Sequence, residues 1–113
     1  MSHITTHVLD ISLGRPAANV AVILEAQSAH GEWAEIVRGA TDTDGRLRDW
    51  TAANAVPAAT YRLTFDTRAY FAARNIASLY PQVVIVFEVR DAQEHYHVPL
   101  LLSPFGYSTY RGS

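Results

Sequence analysis

Period-two alternation runs through most of this chain, and it confines the fold to paired strands. Along residues 4–9, Ile4, Thr6 and Val8 alternate with Thr5, His7 and Leu9, so one set faces a core and the other faces away from it. Short runs with strand character follow at 20–25, 33–39, 61–65, 82–89, 95–101 and 107–110, with a shorter piece near Leu47. Turn chemistry separates them: Gly14-Arg15-Pro16-Ala17, the Ser28–Glu32 connection with His30-Gly31, the polar stretch Thr41–Arg46, the loop Ala52–Pro57, and Ser103-Pro104-Phe105-Gly106. Asp and Gly in such stretches supply side-chain turn bonds and positive φ. Gln82 to Val89 is a β-branched run after the Tyr80-Pro81 punctuation and reads as a buried strand. Only 67–76 departs from the pattern. There Ala, Arg and aromatic residues fall at helical spacing behind Asp66 or Thr67, either of which is an N-cap residue type. The expected architecture is an all-β sandwich of seven to eight strands with one short helix. A length of 113 residues fits a single domain over 1–113.

Composition narrows the function classes. The net charge is −2, and all nine cations are Arg, spread along the chain without a cluster. Nucleic-acid affinity rests on clustered cations that displace phosphate counterions, so that class is excluded. The chain has no Cys, which removes disulfides, thiol nucleophiles and Cys-based zinc sites. No apolar run reaches the ~20 residues of a membrane span. Met1 to His7 shows neither a basic nor an apolar leader segment. The ending Arg111-Gly112-Ser113 is not a peroxisomal address. A cytoplasmic location is the expectation.

The residues able to do chemistry sort by strand face. If Ile4 and Val8 point into the core, His7 points out of it. On the next-to-last run His95, His97, Pro99 and Leu101 share one face, while Tyr96, Val98 and Leu100 share the other and look like core. Ser108 and Tyr110 share a face on the last run. An outward set of polar groups mixed with Leu and Pro suits a lined groove or a subunit contact better than plain solvent. Taken singly, each residue also has an ordinary role. A strand His is commonly a surface or hydrogen-bonded residue, and Arg46 could simply offset the acids of the Asp42-Thr43-Asp44-Gly45 turn. His95 and His97 form a pair without a third ligand, so no metal site is expected. The Asp42–Gly45 turn lacks the later bidentate Glu of a calcium loop.

In combination these pieces match one pattern. Ile4-Thr5-Thr6-His7-Val8-Leu9-Asp10 with Gly14-Arg15-Pro16-Ala17, then Thr43-Asp44-Gly45-Arg46, then the long segment from His95-Tyr96-His97-Val98-Pro99-Leu100 through Gly106-Tyr107-Ser108-Thr109 to Tyr110-Arg111-Gly112-Ser113 resemble the three signatures of the 5-hydroxyisourate hydrolases, the transthyretin-related proteins. The resemblance spans essentially the whole chain. Its last segment separates these hydrolases from transthyretin, the hormone carrier, which lacks the His, Arg and terminal tetrapeptide pattern. It implies a transthyretin-like sandwich assembled as a homotetramer, a dimer of dimers, with sites in a central channel. It also implies a small-molecule substrate, no cofactor, catalytic roles for His7, Arg46, His97 and Ser113, and substrate contacts from His7, Arg46, Tyr110 and Arg111. Two rivals remain at this point: a ligand carrier on the same fold, and a sandwich whose outer faces serve assembly alone.

Overall fold

The structure, a computed structural model, describes residues 4–51 and 56–113. Of the Ala52–Pro57 loop, 52–55 therefore lie outside the described residues. In chain order the elements are β1 (Ile4–Asp10), β2 (Arg15–Pro16), β3 (Ala21–Gln27), β4 (Trp33–Ala40), β5 (Arg46–Leu47), β6 (Ala59–Phe65), α1 (Thr67–Ala72), β7 (Val83–Val89), β8 (Tyr96–Ser103) and β9 (Gly106–Thr109). One sheet runs β2-β1-β8-β9, with β5 also paired to β1; the other runs β4-β3-β6-β7. Two of these strands have only two residues each. Arg15–Pro16, read from sequence as turn alone, pairs back onto Leu9 and Asp10, and Arg46–Leu47 is the short piece expected near Leu47.

The core lies between the sheets and follows the alternation. Ile4, Thr6 and Val8 of β1 are wholly buried, and Thr6 satisfies its hydroxyl by donating to the Val98 carbonyl at 2.7 Å, as a buried polar group must. Leu100 and Leu102 of β8 meet Val22 and Leu24 of β3 and Leu63 and Phe65 of β6 within the same core cluster. Phe71 of α1 is buried with them.

Two expectations need correction. The 82–89 run is not buried on both faces. β7 is an edge strand; Val83, Ile85 and Val89 are buried, while Val84 and Val86 are 38% and 57% exposed. A β-branched run fits either a central strand or an edge whose outer face awaits a cover, and periodicity alone does not separate them. The helix is also shorter than the 67–76 span. Asp66 caps it by accepting from the Ala69 backbone N–H at 3.2 Å. Asn75 takes a left-handed φ of 58°, and the Ile76 N–H returns to the Phe71 carbonyl, which ends the helix in the manner of a C-terminal cap.

α1 is tied to the sheet through a buried acid. Asp10, at the end of β1, has no solvent exposure. Its carboxylate accepts from the Ser12 hydroxyl, from the backbone N–H groups of Ser12 and Leu13, from the Tyr70 hydroxyl at 2.7 Å and from Arg74 at 3.3 Å. Burial pushes its pKa up, but the hydrogen bonds from Ser12, Tyr70 and Leu13 outweigh this and hold it below the ordinary carboxylate value.

Candidate active site

The outer face of the β1–β8 sheet carries the chemistry, and one pairing arranges most of it. β1 and β8 run parallel, with Thr5 opposite His97 and His7 opposite Pro99. β5 pairs antiparallel on the other side of β1 and sets Arg46 opposite His7. Residues directly opposite across a ladder project to the same face, so His7, Arg46, Thr5 and His97 share one surface although they come from distant parts of the chain.

The Asp42–Gly45 turn fixes Arg46 there. The Asp42 carboxylate accepts from the backbone N–H of Asp44 at 2.8 Å and of Arg46 at 2.9 Å, and the Val8 N–H donates to the Gly45 carbonyl at 2.7 Å. Gly45 has φ +76°, and any β-carbon there would collide with the Val8 carbonyl oxygen. Only glycine meets both demands. Among the described residues no carboxylate lies within ion-pair distance of the Arg46 guanidinium, so its donors remain available to an incoming oxygen.

Thr5, Arg46, Arg48, His95, His97 and Ser113 line an open pocket of about 520 Å³. His7 is half-buried, and its Nε2 is buried without a hydrogen-bond partner among the described residues. That nitrogen is left to a partner from outside the described residues. Burial lowers the His7 pKa, the Arg46 charge lowers it further, and the Asp44 backbone with the Asp42 and Asp44 charges acts the other way without prevailing. His97 is lowered by burial first, then by His95, Arg46 and His7. Both imidazoles are thus held toward the neutral form, the form that can accept a proton.

The C-terminus is pinned onto His97. The Gly112 N–H donates to the His97 carbonyl at 2.8 Å, which brings Ser113 to the pocket. A β-carbon at Gly112 would stand 2.5 Å from His97 Cδ2. The ring cannot swing aside without losing the bond between its Nδ1 and the Thr5 hydroxyl, 2.8 Å long. Gly112→Ala is therefore expected to cost about 1–3 kcal/mol through overpacking and to move the His97 ring resonances. Urea titration and ring NMR check this; an unchanged midpoint with unchanged shifts would mean that the tail yields freely.

Tyr110 and Arg111 go elsewhere. Arg111 donates to Glu94 at 3.1 Å and to the His95 carbonyl at 3.2 Å, with its guanidinium 4.3 Å above the Tyr96 ring. With Val86, Glu88 and Tyr96, both residues line a different groove of about 510 Å³ between the β7 and β9 edges. Within one chain, then, His97, Arg46 and Ser113 share a pocket with His7 beside it, whereas Tyr110 and Arg111 do not join them. No local pattern marks Thr5, and Gly112 reads only as part of the Tyr110-Arg111-Gly112-Ser113 segment; the parallel β1–β8 register is what brings Thr5 to the site.

This fold and site define a transthyretin-like sandwich carrying an imidazole–guanidinium pocket on one outer sheet face. The model of the HIUase/Transthyretin family matches residues 4–112, and the chain belongs to that family. It is 48% identical to a "Probable 5-hydroxyisourate hydrolase" of Caenorhabditis elegans, over 97% of this chain and 81% of that protein. Among solved structures it resembles the 5-hydroxyisourate hydrolase of Klebsiella pneumoniae, with a TM-score of 0.85 and 38% identity over 97% of this chain and 98% of that one. Sea bream transthyretin in complex with thyroxine superposes with a TM-score of 0.91 and 33% identity, covering 96% of this chain and 93% of the other.

Proposed function

We propose that this chain, as one transthyretin-like domain over residues 1–113, hydrolyses 5-hydroxyisourate to 2-oxo-4-hydroxy-4-carboxy-5-ureidoimidazoline in urate degradation. The observation that carries this reading is the grouping on one sheet face of two imidazoles held toward neutrality, a guanidinium with no carboxylate partner among the described residues, and Ser113. The names of the hydrolase relatives point the same way. A hydrolysis of this kind balances with water alone. The water oxygen adds to the ring carbonyl, the carbon–nitrogen bond breaks, and the departing nitrogen takes a proton. The pair His7 and His97 accepts the water proton and returns it to that nitrogen. Arg46 forks the carbonyl oxygen and stabilises its developing negative charge. Ser113, which lines the same pocket, orients the attacking water through its hydroxyl.

Assembly belongs to the same reading. We infer a homotetramer built as a dimer of dimers. Its support is the exposed apolar surface on the β7 and β9 edges, where Val86, Tyr107 and Tyr110 are 57%, 41% and 56% exposed. In such an assembly Tyr110 and Arg111 contact substrate across a subunit boundary, not within their own chain.

The test is ultraviolet spectroscopy of freshly made 5-hydroxyisourate with the purified protein. Accelerated decay is expected, with circular dichroism of the same mixture showing one enantiomer of the product. Decay at the spontaneous rate would overturn the reading. The likeness to a thyroxine-bound transthyretin favours a second reading, a carrier, under which a ligand would bind the channel while the decay rate stayed unaltered.

A further inference from the structure

The His97 ring has a partner that the reading above leaves without a role. Thr5 is only 7% exposed, and its hydroxyl sits between two imidazoles, 2.8 Å from His97 Nδ1 and 2.9 Å from His95 Nε2. The strand pairing makes this arrangement: Thr5 is the direct register partner of His97 across the parallel β1–β8 ladder, and His95 lies two residues earlier on the same face of the chain. The two rings are 6.3 Å apart and tilted by 34°, so the hydroxyl bridges them and they do not stack.

A hydroxyl has one hydrogen, so the bridge has a direction. If Thr5 donates to His95 Nε2, it must accept from His97, and the His97 proton then sits on Nδ1. If Thr5 donates to His97 Nδ1, that proton sits on Nε2. Only the first arrangement leaves Nε2 with a free lone pair. Nε2 is the nitrogen of His97 that no protein group among the described residues engages, and it is therefore the one open to a water in the pocket. An imidazole left to itself in water favours the opposite tautomer, with the proton on Nε2. An active-site base commonly relies on a second group to hold the productive tautomer, and losing that group can be as damaging as losing the base.

We propose that Thr5 is a positioning residue for His97, its hydroxyl committed to His95 on one side so that it holds the His97 proton on Nδ1 and leaves Nε2 bare. His95 is the exposed anchor of this line. For this His95 must carry its own proton on Nδ1, so that its Nε2 takes the Thr5 hydrogen and sets the direction of the bridge. Ring nitrogen NMR reads that tautomer as well as the one on His97. The proposal rests on the reading of His97 as a proton acceptor, but the tautomer it specifies is measurable without any turnover.

The experiment compares the wild-type protein with Thr5→Val, Thr5→Ser and His95→Phe. Ring nitrogen NMR on histidine-labelled protein reads the His97 tautomer, and steady-state hydrolysis of 5-hydroxyisourate reads kcat and KM. Val matches Thr in shape and keeps the strand preference, so the sheet should survive. Wild type is expected to carry the His97 proton on Nδ1. Thr5→Val should move it largely to Nε2 and lower kcat by about a hundredfold, within the range of a general-base contribution, with KM changed little. Thr5→Ser should restore both tautomer and rate. His95→Phe, at the solvent end of the line, should produce a mixture of tautomers and an intermediate kcat. A wild-type ring protonated on Nε2, or a Thr5→Val ring still protonated on Nδ1, would overturn the proposal whatever the activity. If the wild type shows the Nδ1 form and Thr5→Val loses it while no variant, wild type included, turns over the compound, the positioning role stands and the hydrolase reading falls.

Discussion

Replacing His97 with Asn is expected to lower kcat/KM for hydroxyisourate hydrolysis by about 10²- to 10⁴-fold, the range of a lost general acid–base contribution, or roughly 3–5 kcal/mol of transition-state stabilisation. Asn keeps a polar end near the Thr5 hydroxyl and the β8 backbone untouched, so the Gly112 bridge to the His97 carbonyl should persist and the fold with it. His7→Asn removes the second imidazole under the same logic. Near-normal turnover in both single variants would remove the acid–base proposal. The wild-type pH profile offers a companion measurement. Both rings have pKa values below the ordinary 6.5; each therefore stays neutral, and able to accept a proton, to a lower pH than a free imidazole. The acidic limb of kcat/KM should accordingly fall below 6.5, and a limb above that value would mean that neither ring is the base.

The second large effect concerns stability. Asp10→Ala removes the acceptor for the Tyr70 hydroxyl, for the Ser12 and Leu13 backbone N–H groups and for Arg74. Breaking a buried, hydrogen-bonded carboxylate network of this kind costs about 3–5 kcal/mol when a partner is left buried and unpaired. Arg74 is 36% exposed and can turn to water, so the lower end of that range, about 3 kcal/mol, is expected. Chemical denaturation should show the midpoint drop with an unchanged slope. The linkage has a sign. The Asp10 pKa is depressed below 3.8 in the folded state, so its stabilisation is present above that value and is lost as pH falls through the folded pKa. Asp10→Ala should therefore flatten the acid-unfolding profile. A variant as stable as wild type would mean that α1 docks without this anchor.

Much of the architecture was legible because it follows from local chemistry. The alternation of β1 placed Ile4, Thr6 and Val8 inward, and the polar Thr41–Arg46 stretch announced the turn that delivers Arg46. Where reading stopped, the cause was non-local. Gln82 to Val89 reads as a buried strand, because β-branched residues suit both a central strand and an edge, and only the sheet order shows that β7 has one neighbour among the described residues. Arg15–Pro16 reads as turn, because a two-residue pairing has no period. The site shows the same division. His7 and His97 stand out on their strand faces, but the Thr5–His97 contact depends on a parallel register between the first strand and the eighth, which no local pattern encodes. The conformation of Arg111 is set by Glu94, the His95 carbonyl and the Tyr96 ring together, so its departure from the pocket could not be read from the terminal tetrapeptide.

The parallel pairing of β1 with β8 also has a temporal consequence. Bringing Thr5 beside His97 closes a span of 92 residues, and contacts of such separation form late, because loop-closure entropy precedes any reward from them. During synthesis, a ribosome-bound chain that has not yet released residues 96–103 holds His7 and Arg46 but has no eighth strand to set against the first. The pocket thus comes into being only once β8 and the residues through Ser113 have emerged, and a product truncated before β8 would hold no partial version of it.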